Sequence, residues 1–141
     1  MKKVLKNKKA FTLTEMIVVI AIIGILAGVL IPTITGYIKR ANQSAAYQEA
    51  EAVLNIYETW ETEVEAKLTT KGFGDYYLEI SDGEELGANV VYINETDNEF
   101  VFVHNNGIIV AINLENNSVH YDYESSDLTG FSVVDTTVTS A

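Results

Sequence analysis

Residues Met16–Ile31 read MIVVIAIIGILAGVLI, sixteen consecutive positions without a charge or a hydroxyl. Counted from Phe11, the apolar stretch runs to 21 residues, roughly 31 Å as a helix and so about one hydrocarbon core. What flanks it is asymmetric. Lys2, Lys3, Lys6, Lys8 and Lys9 precede it with no acidic residue among the first ten positions. From Ala41 onward only Lys67 and Lys71 are basic, against nineteen acidic residues. Basic residues before the span and an acidic bulk after it predict the N-terminus in the cytoplasm and the remainder outside.

The rest of the composition narrows the classes. A chain of 141 residues holds one domain core. A net charge of -11 argues against nucleic acid as a direct partner. The absence of cysteine excludes disulfides, thiolate metal sites and Cys nucleophiles. Apolar residues at 48% are too many for an acidic disordered chain.

Three readings of the N-terminus compete. A secretory signal needs a shorter apolar core and small residues at its cleavage site, whereas Ile-Pro-Thr-Ile-Thr-Gly-Tyr follows this one. A plain single-pass anchor fits the length and the charges but gives no reason for Glu15 near the start of the apolar stretch. In the third reading the chain is cut before the apolar run and keeps the whole of it.

The third reading has a family behind it. Lys8-Lys9-Ala10-Phe11-Thr12-Leu13-Thr14-Glu15-Met16, followed by the apolar run and Pro32, resembles the leader of type IV pilins and pseudopilins. The resemblance covers about residues 6 to 40. It implies cleavage between Ala10 and Phe11 by a membrane-embedded prepilin peptidase and methylation of the new Phe11 amine. Ala10 departs from the glycine usual at that position. The resemblance also implies that Glu15 pairs with the Phe11 amine of a neighbouring subunit during filament entry. A carboxylate in an apolar segment costs on the order of 2.5–3.5 kcal/mol at the bilayer centre, less near its edge. A charge poorly placed alone and satisfied by a second copy favours assembly.

Within the span, Gly24 and Gly28 form a G-x-x-x-G step that lets helices approach closely. Pro32 removes the donor that would reach the Gly28 carbonyl. Assembled filaments of the family lose helical order here, so a kink or melted stretch is expected between Gly24 and Pro32.

Beyond Pro32, Ile38, Ala41, Ala45, Val53, Leu54, Tyr57, Trp60, Val64 and Leu68 fall mostly at three- and four-residue steps. Glu49, Glu51, Glu58, Glu61, Glu63 and Glu65 occupy much of the opposite face. The helix is expected to end near Lys67–Gly72. From Asp75 the period changes to two. Tyr76–Ile80, Val90–Asn94, Glu99–His104, Ile108–Leu114 and Val119–Glu124 read as strands, with Phe131–Val134 a weaker one. Asn105-Asn106-Gly107 and Glu115-Asn116-Asn117 are tight-turn signals, which makes the last three firm strands an antiparallel meander. Val119, Tyr121 and Tyr123 are expected on an apolar face, with His120, Asp122 and Glu124 on a wet one.

No active site is legible. His120 and Asp122 would share a strand face, the minimum of a proton-transfer or metal pair, but His104 is the only other histidine and no third ligand has a fixed position. Asp122, Glu124 and Asp127 with Ser125 and Ser126 offer oxygen to calcium without a ligand loop of regular spacing. Asp82-Gly83-Glu84-Glu85 reads as a turn, and the thirteen tyrosines and phenylalanines as packing.

The whole reads as an α+β chain. Residues 1–10 are a removed leader, 11–35 a transmembrane assembly helix, 36–72 its amphipathic continuation and 73–141 an antiparallel sheet domain. What the resemblance implies is a subunit that needs no cofactor and no metal. It would be held in the cytoplasmic membrane, N-terminus inside, then polymerised through an inner-membrane assembly platform into a homo-oligomeric surface filament with other pilins. Adhesion, twitching motility and DNA uptake are the uses implied. Two alternatives stand beside it. One is a pseudopilin of a secretion or competence apparatus; the other is an uncleaved membrane-anchored protein with an extracellular binding domain.

Overall fold

In a computed structural model, residues 9–136 are described; the leader positions before Lys9 lie outside them. Helix α1 spans Leu13–Glu65 and is followed by a short helix α2, Phe73–Ile80. Five strands complete the fold: β1 Val90–Asn94, β2 Glu99–Val103, β3 Ile109–Asn113, β4 Val119–His120 and β5 Ser132–Val133. A 3-10 turn at Asp127–Gly130 precedes β5. The expected α+β class is present. The chain divides after Arg40 into two units.

In the first unit the helix is apolar and uncovered. Leu13, Ile20, Ile25, Val29 and Ile31 are all more than 60% exposed. Among the described residues, α1 is the one helix long and apolar enough to cross a membrane.

The second unit begins at Ala41 and holds the core. Its sheet runs β4-β3-β2-β1-β5, every pair antiparallel. β2 is central, pairing Phe100 with Ile93 of β1 and with Ile112 of β3. The period of two puts Val91, Phe100, Phe102, Val110 and Ile112 on one face, where they meet Ala46, Ala50, Val53, Leu54 and Tyr57 of α1. Ala46 and Ala50 are fully buried, so the helix backbone sits close to the sheet. The rings of Tyr57 and Phe100 lie 5.6 Å apart, as do those of Tyr57 and Phe73. The row expected from Ile108, Val110, Ile112 and Leu114 is found on this face.

Four sequence expectations need correction. Tyr76–Ile80 is helix, not strand. A short apolar run fits either period, and here the three- and four-residue spacing of Phe73, Tyr76 and Tyr77 wins. Phe73 is fully buried, and the Tyr76 hydroxyl donates to Glu63 Oε1 at 3.0 Å. Next, α1 ends at Glu65, so Leu68 leaves the apolar stripe and is 77% exposed, with Val64 also exposed. Trp60 instead finishes the stripe by donating Nε1–H to the Lys71 carbonyl at 3.0 Å.

The third correction concerns β4, which keeps two residues of the six expected. After His120 the chain crosses to the second face of the sheet. There Tyr123, Leu128 and Phe131 pack with Tyr92, Val101, Val103, Ile109 and Ala111. That face is apolar, not wet, and β2 is buried from Glu99 to Phe102 because both its sides are covered. Last, Glu49 is half-exposed but has partners of its own. It accepts from Asn89 Nδ2 at 2.9 Å and pairs with His104 Nε2 at 2.8 Å, tying α1 to the turn after β2. That turn has Gly107 at φ +85, a backbone a side chain would strain.

Burial has a signature in the tyrosines. Desolvation pushes the Tyr57 phenol up from 10.0 to about 12, and it also raises Tyr47, Tyr76, Tyr77 and Tyr123. The unfolded chain therefore releases these protons at lower pH than the folded one. Their contribution is complete below pH 10 and is lost as pH rises toward 12. Circular dichroism of the detergent-solubilised chain should show sheet unfolding beginning above about pH 10. The substitution Phe100→Ala should lower the unfolding free energy by about 3–5 kcal/mol, read from a urea titration followed through Trp60 fluorescence.

Candidate functional site

The helix N-terminus is built by a four-residue device. Thr12 stands one residue before the first residue of α1, with a side chain that competes for backbone donors and favours the cap. Its hydroxyl accepts the Glu15 backbone N–H at 3.2 Å, while Glu15 Oε2 accepts the Thr12 backbone N–H at 2.8 Å. This is a reciprocal capping box, Thr-x-x-Glu. A carboxylate in the first turn also faces the positive end of the helix dipole. Glu15 therefore has a partner within its own chain, a role the sequence pattern carries but composition and charge do not reveal.

The cap leaves Ala10 and Phe11 outside the helix. Both are exposed, and Phe11 is 78% so. The Ala10–Phe11 peptide bond thus lies in non-helical backbone between two exposed residues. Phe11, Thr14, Glu15, Val18 and Val19 together line an open, largely apolar recess of about 410 Å³.

Farther along, a Cβ added at Gly24 or Gly28 would meet nothing within 4 Å. These glycines make room for nothing inside the chain. Pro32 lies within α1, and the helix is unbroken from Gly24 through Pro32 rather than melted. Thr33 Oγ1 donates to the Leu30 carbonyl at 2.8 Å and Thr35 Oγ1 to the Pro32 carbonyl at 2.9 Å. Neither of these bonds goes to the Gly28 carbonyl, whose backbone donor Pro32 removes.

The other polar cluster lies on the second face of the sheet. Glu99, among the buried polar residues, approaches His120 Nε2 at 2.6 Å and accepts from the Tyr123 hydroxyl at 2.9 Å. Asn94 Nδ2 donates to Tyr123 Oη at 3.0 Å and to Asp97 Oδ2 at 2.9 Å. The pair weighed from the sequence, His120 with Asp122, is loose: Asp122 is 4.0 Å from Nδ1 and its side chain is 94% exposed. Asp127, one of the calcium candidates, spends Oδ2 on the Glu124 backbone N–H at 2.8 Å. Among the described residues, no three His, Asp or Glu side chains converge on a common point. Glu99 is a tie between β2, β4 and the segment that covers the second face. Sequence reasoning missed it because its partners lie 21 and 24 residues away.

Comparison with known proteins converges on the helix N-terminus. Residues 5–31 match the prokaryotic N-terminal methylation motif. Over 40 residues the chain is 55% identical to the type IV wide pilus major component PilA4 of Thermus thermophilus, which covers 28% of this chain and 30% of that protein. Over 46 residues it is 48% identical to the fimbrial protein of Moraxella nonliquefaciens, 33% of this chain and 30% of that one. The chain thus spans about a third of the length of the curated relatives it matches, and no solved structure matches it. Its N-terminal segment is thus similar to the N-terminal segments of a type IV pilus component and of a fimbrial protein.

Removing the Glu99 carboxylate should orphan the buried side of the Tyr123 and His120 cluster. Glu99→Ala should destabilise the sheet domain by about 1–3 kcal/mol in urea titration.

Proposed function

We propose that the chain is a type IV pilin-like structural subunit, cut between Ala10 and Phe11, methylated at Phe11 and polymerised into an extracellular filament. The observation that carries this reading is the uncovered apolar helix behind a methylation-type N-terminus. From Phe11 to Ile38 the large apolar side chains stand 41% to 78% exposed. Burying one Val, Leu or Ile fully contributes about 1.5–3 kcal/mol. Such a face needs a bilayer first and neighbouring helices afterwards. The acidic residues beyond it and the basic leader orient the inserted chain with its N-terminus inside.

Glu15 has two partners in this reading. In the lone subunit it closes the capping box with Thr12, which lowers the cost of holding a carboxylate at the bilayer edge. In the filament it also faces the Phe11 amine of a neighbour, a cation that exists only after cleavage. Processing thereby switches assembly on. Gly24 and Gly28 let helices of adjacent copies approach, and Pro32 marks the turn where α1 gives up helical order most cheaply on assembly. The prepilin peptidase and the inner-membrane assembly platform are the partners this route requires. No catalytic role, cofactor or direct nucleic-acid contact is proposed for the subunit. Adhesion, twitching motility and DNA uptake would be properties of the polymer.

The test is mass spectrometry of the N-terminal peptide from a sheared cell-surface fraction of the native host. A peptide beginning at Phe11 with a methylated amine is expected there. Chains retaining the leader and confined to membranes would overturn the proposal in favour of an uncleaved anchored binding domain. Processed chains confined to the cell envelope would favour the pseudopilin reading. In the same fraction Glu15→Ala should reduce filament yield about tenfold or more, since it removes a charged partner that assembly must satisfy.

A further inference from the structure

From Ala41 onward the chain carries two basic residues against nineteen acidic ones, so copies brought side by side repel. Of the four cations beyond Phe11, Lys71 is already paired with Glu79 at 2.5 Å, and Lys67 lies just past the end of α1 at φ 58. Lys39 and Arg40 are different. They are adjacent and exposed, and no acidic residue lies between Glu15 and Glu49. Neither takes part in an ion pair or side-chain hydrogen bond among the described residues.

The complementary surface lies in the second unit. Glu51, Asn55 and Glu58 recur at four- and three-residue steps and share one side of α1, all three exposed. They border a groove of about 200 Å³ that also takes in Tyr47 and Leu54 of α1 and Ile112 of β3. Two carboxylates on the rim of a largely polar groove suit an arginine, whose guanidinium forks to oxygen.

Resting on the filament reading above, we infer that this groove docks the Lys39–Arg40 pair of a second copy of the chain. Copies packed in register would set cation against cation and carboxylate against carboxylate. Staggered parallel copies instead set Arg40 of one beside Glu51 and Glu58 of the next. A single exposed ion pair contributes little. Repeated at every subunit it selects one stagger over the in-register arrangement, while the apolar helices drive association.

Two experiments on filaments of the full chain test this. The protein has no cysteine, so the pair Ala41→Cys with Asn55→Cys reports one contact and leaves Arg40, Glu51 and Glu58 intact. Mild oxidation of sheared filaments should give a ladder of disulfide-linked multimers, because each copy offers both halves. Filaments that form without such a ladder overturn the docking while leaving the filament reading in place. In parallel, Arg40→Glu and Glu58→Arg should each lower filament yield about tenfold by setting like charges together, and the double variant should recover to within about threefold of wild type. Single reversals with wild-type yield, or a double variant no better than the singles, also overturn it. Wild-type chains that never appear in filaments remove the filament reading itself.

Discussion

An apolar helix surface that its own chain does not cover is the constraint on which everything else rests. Water cannot be the lasting solvent of Met16–Ile31, since each exposed aliphatic side chain there costs what burial would return. The same helix α1 meets two environments along its length. Its first part is apolar all round, as a membrane or a bundle of like helices requires. Its later part carries one buried stripe, Ala46, Ala50, Val53, Leu54 and Tyr57, matched to one face of a sheet. Glu15 sits at the start of the apolar part, where a carboxylate is affordable only if something donates to it. The Thr12 backbone N–H does so from the first turn.

The sheet domain has a constraint of a different kind. Without disulfides, its stability comes from apolar burial on both faces of β2 and from a few polar ties. Buried Glu99 and half-exposed Glu49 are two of them. Each carboxylate has one histidine and one further side-chain donor, and each joins segments far apart in sequence. In a chain this acidic, carboxylates placed against histidine, asparagine and tyrosine hold structure together without adding cations. That leaves Lys39 and Arg40 exposed and, among the described residues, without an ion pair, just ahead of a domain with two basic residues against nineteen acidic ones.

Periodicity made much of this legible. Val90–Asn94, the meander through Asn105-Asn106-Gly107 and the buried row of β3 follow from a strict period of two with turn residues at fixed places. The errors cluster where local pattern is ambiguous. Phe73–Ile80 satisfies both helical and strand spacing, and only the Phe73 ring between Tyr57, Trp60 and Tyr77 decides for helix. Tyr121 and Tyr123 alternate in sequence yet serve opposite faces, because the chain leaves the sheet after His120 and wraps around it.

What the sequence determined by itself is local or compositional. A sixteen-residue run without charge dictates a helix in an apolar environment. The charge on either side is the local signal for an orientation, and the spacing of Thr12 and Glu15 is that of a helix cap. These depend on neighbours within a few residues, so they can be read in order along the chain. The tertiary structure alone decided that the sheet has two apolar faces, that β5 closes the edge beside β1, and that Glu49 and Glu99 tie distant segments together. Each depends on groups far apart in sequence, and no local period carries information about which distant partner will be there.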